Sequence, residues 1–282
     1  HVGTLNEILN VNKFKTSGIW GPAHEVGHMH QTRPGLKWVG TTEVTNNIHS
    51  LHVQTTFGNR SRLITENMGD GTTRFEKAFA SLIAGKIAHG KEGDVFCKLV
   101  PFYQLYLYST KINTQYEDYY KDLHELIRQQ TDPANADTKN GICQLNFVKM
   151  TCDLLELDLT DYFRAWGFLR EIDERIDDYG VSRLWITANQ ITEIENYIAS
   201  KGYSQAPGGL IYLNDDNIAY FTNGQAMHEG AATRSGNRIT VSNSSNVVAF
   251  EVYQNETLVK AFNNTAFNVP EGTVIIKAVS AS

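Results

Sequence analysis

No apolar run in the sequence approaches eighteen residues, which excludes a membrane-spanning helix. Cysteine is scarce. Cys97, Cys143 and Cys152 are too few and too irregularly spaced for a disulfide framework, and without a CxxC pair a structural zinc site is not expected. Their apolar, helical surroundings suit free thiols acting as small core residues. Positive charge is not in excess either: a net charge of -6 leaves no electrostatic footprint for nucleic acid. The sequence starts at His1 rather than Met and without a signal peptide, which reads as a processed fragment and says nothing against secretion. The N-x-S/T triplets at Asn59, Asn243, Asn255 and Asn263 would matter only in a eukaryotic secretory context.

What is present is ordinary soluble globular material, 41% hydrophobic and 20% charged over 282 residues. That is enough for one large or two modest domains with a buried core.

One stretch states a chemistry. Within Gly21-Pro22-Ala23-His24-Glu25-Val26-Gly27-His28-Met29-His30-Gln31, His24 and His28 stand four residues apart. On a helix they share a face and can direct two imidazoles at one zinc ion. Glu25 need not ligate; it is placed to take a proton from a water that the metal acidifies. With nine His in the chain, an HExxH arises by chance in about one such sequence in a hundred, so context must support it. Pro22 suits a first helical turn, and Arg33-Pro34-Gly35 stops the helix soon after His28.

A catalytic zinc site takes three protein ligands and a water. A third His six residues beyond His28, with Gly between, is excluded because Pro34 and Gln31 hold those positions. Glu43 is the first acidic residue after the motif, on an expected helix from Thr41 to about Thr56 that would fold back over the His pair. His30, His49 and His52 are the competing donors. On the same helix Asn47, one turn from Glu43, is a candidate to hydrogen-bond a ligand carboxylate. Trp38, in the loop between the two helices, is read as facing a cavity and as the best aromatic candidate for substrate contact.

GPAHEVGHMHQ, followed by Trp38 and then Thr41-Thr42-Glu43-Val44-Thr45-Asn46-Asn47-Ile48, resembles the enhancin-type gluzincin metallopeptidases. The resemblance covers roughly residues 18 to 50. It implies zinc held by His24, His28 and Glu43, Glu25 as general base, and peptide or glycoprotein substrates of the O-glycosylated, mucin-like kind. It also implies a secreted, cell-surface or periplasmic protein, bacterial in source. Enhancin-like peptidases carry a longer, partly stranded segment ahead of the motif, so the catalytic domain is expected here without its N-terminal part.

Further along, Gly69-Asp70-Gly71-Thr72-Thr73 reads as a tight turn. Helical spacing is expected over 74–89, 93–110, 115–130, 141–157, 160–170 and 188–201, with Gly202 as a stop. The aromatics of these segments, among them Tyr119, Trp166 and Phe168, are read as core, and His89 and His124 as surface residues. After Gly202, β-branched and polar residues alternate in 238–242, 247–253, 258–262 and 273–279, with a hairpin turn at 254–257. The expected fold class is therefore α+β: a mainly helical zincin-type catalytic domain over 1–202, then a small β-sandwich over 203–282. Two functional readings follow: a zinc endopeptidase, or a glycan- or glycoprotein-binding protein whose zinc site is not productive.

Overall fold

The most completely buried segment of the fold is the helix Val95–Leu107, with eleven of its thirteen residues buried. The Asp94 carboxylate caps its start, accepting from the amides of Phe96 and Cys97. Pro101 sits inside it, and the Tyr162 hydroxyl donates to the Pro101 carbonyl at 2.7 Å. The computed structural model describes residues 2–66 and 68–282, with backbone only for 2–4.

Other helices pack against this one, the Tyr120 hydroxyl donating to the Phe102 carbonyl and the Phe147 ring lying 5.0 Å from that of Phe102. Arg74–Ala78 starts at a capping box, Thr73 with Glu76, and runs into a π-helical turn, Phe79–Ala84. Tyr119–Arg128, Lys139–Leu155, Thr160–Ala165 and Ala188–Lys201 complete the helical part. The last of these matches its expected span, set by the Thr187/Gln190 capping box and by Gly202 at φ +64°. Asp70 accepts from the amide and hydroxyl of Thr72, which makes 69–73 a tight turn. The three cysteines are free and buried, and burial pushes the Cys143 thiol up to about 11.

Two expectations fail on burial. Trp38 is 1% exposed and packs at 5.9–6.4 Å from the rings of Phe102, Phe147 and Phe168, so it offers no face to a substrate. His89 is fully buried, stacked on Phe168 at 4.1 Å, with Nε2 bonded to the Lys98 carbonyl. Burial takes its pKa down to about 3.

An antiparallel hairpin, Ile172–Asp177 with Val181–Ile186, lies where no strand was expected. It seats on the Lys139–Leu155 helix, where a side chain at Gly141 would strike the Trp185 carbonyl. Buried Asn140 donates to the Ser182 hydroxyl and the Arg183 carbonyl, and accepts from the Val39 amide. One amide thus ties the hairpin to the segment after the motif helix.

The C-terminal region holds two three-stranded antiparallel sheets. Arg238–Ser242 lies between Ala231–Ser235 and Ala266–Asn268, and Ala249–Gln254 between Ile275–Val279 and Thr257–Phe262. The turn joining the last pair places Asn255 and Glu256 at φ +49° and +61°. Ile239, Val241, Phe250, Val252, Phe262 and Phe267 gather into one apolar cluster. The larger core also runs past residue 202, taking in Leu210, Tyr212, Val248 and Ala261. Glu76 fastens the two regions, accepting from the Asn263 amide and the Asn264 side chain. The fold is α+β and predominantly helical.

Replacing Trp38 by Ala should cost about 3–5 kcal/mol of stability in urea unfolding. Any loss of glycoprotein binding should track the unfolded fraction and nothing more.

Candidate metal centre

The helix Trp20–His30 carries the HExxH motif. Pro22 occupies its first turn, and it ends at Gln31, whose amide still bonds the Gly27 carbonyl while its own backbone turns extended. His24 and His28 project from one face, rings edge to face with centroids 4.8 Å apart. Gly27 lies on the inner side. A Cβ there would collide with the Asn46 carbonyl, so glycine is what lets the two backbones touch.

Glu43 does not lie on a helix starting at Thr41. Residues 42–46 form turns, the Thr41 side chain is bonded to Trp38, and the helix starts at Asn47 and runs to Thr56. The turns bring Glu43 Oε2 to 3.1 Å from His24 Nε2 and 3.6 Å from His28 Nε2. These three residues form a group able to hold a metal ion, and all are partly buried.

The donor set fits zinc. Ligands about 2.0–2.2 Å from a tetrahedral ion stand about 3.4 Å from one another, and the two measured gaps bracket that value. The imidazoles are also turned correctly. His24 Nδ1 lies 2.9 Å from Asn47 Oδ1, and His28 Nδ1 3.0 Å from Gln31 Oε1. An amide oxygen only accepts, so the Gln31 contact favours the His28 tautomer with its proton on Nδ1 and the Nε2 lone pair toward Glu43; at His24 Nδ1 the Asn47 oxygen, at 2.9 Å, competes with the Asn46 Nδ2 donor, at 3.0 Å. The amides are themselves oriented: Asn47 Nδ2 donates to the Glu43 carbonyl, and Gln31 Nε2 to the carbonyls of Thr41 and Thr42 and the Thr45 hydroxyl. Asn47 therefore holds His24 and the Glu43 backbone, not the Glu43 carboxylate that the sequence suggested. Asn46 is fully buried, its Nδ2 3.0 Å from His24 Nδ1 and 3.2 Å from both Nε2 atoms, and its Oδ1 without a partner among the described residues. The amide thus sits against the very lone pairs a metal would use. Glu25 is exposed beside His24.

Three contributors escaped sequence reasoning. Tyr179, at the hairpin tip with φ +58°, donates its hydroxyl to Glu43 Oε1 at 2.8 Å. That bond and the Glu43 charge push its pKa up. Asp178 Oδ2 accepts from the Gly40 amide at 2.7 Å and from the Thr42 amide and hydroxyl. Buried Lys98 donates to the Gly40 carbonyl at 3.0 Å. Gly27 and Gln31 were visible as motif neighbours; a helical glycine with no stop to make was the available signal.

The competing donors lie elsewhere. His52 contacts the Tyr106 hydroxyl. His30, His49 and His124 gather beyond the motif helix, with ring centroids 4.8–6.1 Å apart. His124 is partly buried there, not a surface residue. Burial first, then neighbouring imidazoles, lowers His49 to about 4; burial, His49, Arg128 and His30 do the same to His124.

Both shifts are downward, so between pH 6.5 and about 4 the unfolded chain binds protons that the folded chain does not. Stability should fall as pH drops through that window, and His124→Gln should flatten the fall in urea titrations at pH 7, 5.5 and 4.5. Gly27→Ala must push Asn46 away, and its zinc affinity should fall by at least about tenfold in a chelator competition.

The sequence profile of the family described as peptidase M60, enhancin and enhancin-like, matches residues 1–167. A metallopeptidase from Bacteroides thetaiotaomicron shares the fold at a TM-score of 0.73 and 22% identity, over 99% of this chain and 51% of that one. A metallopeptidase in complex with Tn antigen gives a TM-score of 0.70 at 23% identity, over 93% of this chain and 52% of the other. The M60 catalytic domain of a Clostridium perfringens protein in complex with sialyl T antigen gives 0.63 at 20% identity, over 97% and 49%. Human TRPM8 channel-associated factor 2 is 28% identical over 170 residues, 60% of this chain and 17% of that protein. The chain thus spans about half the length of these solved structures. With the profile matched over more than half of its residues, the chain belongs to the M60 peptidase family, enhancin and enhancin-like.

Proposed function

We propose that this metallopeptidase-family chain is a zinc-dependent endopeptidase that cuts glycoproteins, with His24, His28 and Glu43 as metal ligands and Glu25 as general base. The observation that carries the reading is the convergence of His24, His28 and Glu43, with one carboxylate oxygen 3.1 and 3.6 Å from the two Nε2 atoms. Zinc, when bound, would polarise the scissile carbonyl and lower the pKa of an attacking water. Glu25 is the residue that would take a proton from the attacking water and return it to the leaving amine. Asn47 and Gln31, with an amide oxygen on each Nδ1, would favour the ligating tautomer of the two imidazoles.

The substrate class rests on relatives. Two solved metallopeptidases with this fold are described as complexes with Tn antigen and sialyl T antigen, which supports O-glycosylated, mucin-like glycoproteins as substrates. Such substrates put the protein outside the cell or at the cell surface of a bacterium, and no helix among the described residues is long and apolar enough to cross a membrane. We read residues 1–202 as the catalytic unit and 203–282 as a small β-sandwich packed on it. Tyr212, Val248 and Ala261 lie in the main core, which supports a docked unit over a tethered one. A glycoprotein-binding protein with an intact but unproductive zinc site is the second reading.

The variant Glu25→Gln keeps the three ligands and removes the base. With zinc at one per chain in both proteins, turnover of a mucin-type glycoprotein should drop by about 10²–10⁴-fold. Zinc-loaded wild type that binds the glycoprotein without cleaving it would sink the endopeptidase reading in favour of the second.

A further inference from the structure

The exposed tip of the 172–186 hairpin reaches the carboxylate of Glu43. Tyr179 is 84% exposed, yet its hydroxyl lies 2.8 Å from Glu43 Oε1. Oε1 is the oxygen left over; the other, Oε2, is the one facing His24 and His28. An exposed side chain on a hairpin tip usually has no fixed place. This one has, because the tip is pinned to the chain that bears Glu43. Asp178 Oδ2 takes three hydrogen bonds from Gly40 and Thr42, and Lys98 holds the other side of the same turn through the Gly40 carbonyl. Asn140 fixes the strand that leaves the tip through Ser182 and Arg183.

A carboxylate next to a metal can ligate through one oxygen or both. A catalytic zinc site needs one coordination position open, and a second carboxylate oxygen would take it. We infer that Tyr179 is a positioning residue for the third ligand. Its hydroxyl occupies Oε1, so that Glu43 presents Oε2 alone to the ion and the fourth position stays open. Asp178 is the anchor that holds the phenol in register with Glu43. The inference rests on the zinc site proposed above, but not on any peptide bond being cut.

Tyr179→Phe keeps the ring and removes the hydroxyl. In competition with a chromophoric chelator, its zinc affinity should fall about tenfold, as expected for loss of a group orienting a metal ligand. The cobalt-substituted variant should show a weaker visible spectrum, because a second carboxylate oxygen raises the coordination number. Thermal unfolding of the metal-free variant should match wild type. Asp178→Ala, which keeps the phenol but releases the tip, should shift affinity and spectrum in the same direction. Wild-type affinity and cobalt spectrum in Tyr179→Phe would overturn the inference. A wild-type chain that binds no zinc would overturn it together with the peptidase reading. One that binds zinc but cleaves nothing, while Tyr179→Phe still weakens zinc, would sink only the latter.

Discussion

Everything at the candidate centre depends on how closely two stretches of backbone approach, the motif helix at Gly27 and the turn at Asn46. No side chain separates them. That approach sets the depth at which the Asn47–Thr56 helix starts, and with it the distance from Asn47 to His24 and from Glu43 to both imidazoles. A methyl group at Gly27 would open the contact and carry every one of those atoms outward. The site is therefore built by main-chain packing first, and by side-chain choice second.

Around that contact the orientation of each candidate ligand is delegated to a group that need not touch a metal. Gln31 grips the 41–45 turn with its nitrogen and His28 with its oxygen, so a single amide couples the end of one helix to the approach of the next. Lys98 and Asp178 bracket Gly40 from opposite sides, one on its carbonyl and one on its amide. Burial draws the Lys98 pKa down, against the opposing pull of the Asp178 and Glu92 charges. Polar groups buried this way are costly unless each finds its partner, and here most do.

The local part of this design was legible in the sequence. His24, Glu25 and His28 lie within five residues, and one helical turn relates the two imidazoles whatever the rest of the chain does. Helix 188–201 was equally plain, because its capping box and its terminal glycine are local signals. Asn47 was expected to bond the Glu43 carboxylate from a helix starting at Thr41; the helix starts at Asn47 itself, and the side chain meets His24 and the Glu43 carbonyl instead. Trp38 was misjudged because its burial is decided by Phe102, Phe147 and Phe168, far away in sequence. The 172–186 hairpin was invisible for a different reason. Its first strand, Ile-Asp-Glu-Arg-Ile-Asp, buries only Ile172 fully and shows none of the alternation by which a half-buried strand declares itself.

The hairpin has a bearing on where this protein can be divided. The family profile ends at residue 167, a point by which the motif, Glu43 and most of the helical core have already been spelled out. Asp178 and Tyr179 come after it, and their bonds to Thr42 and Glu43 span 136 residues. A fragment cut at the profile boundary would keep every residue of the motif and lose the clasp that closes over its third member. On the proposed reading of the site, the shortest chain that can complete it thus extends beyond the stretch by which the family is recognised.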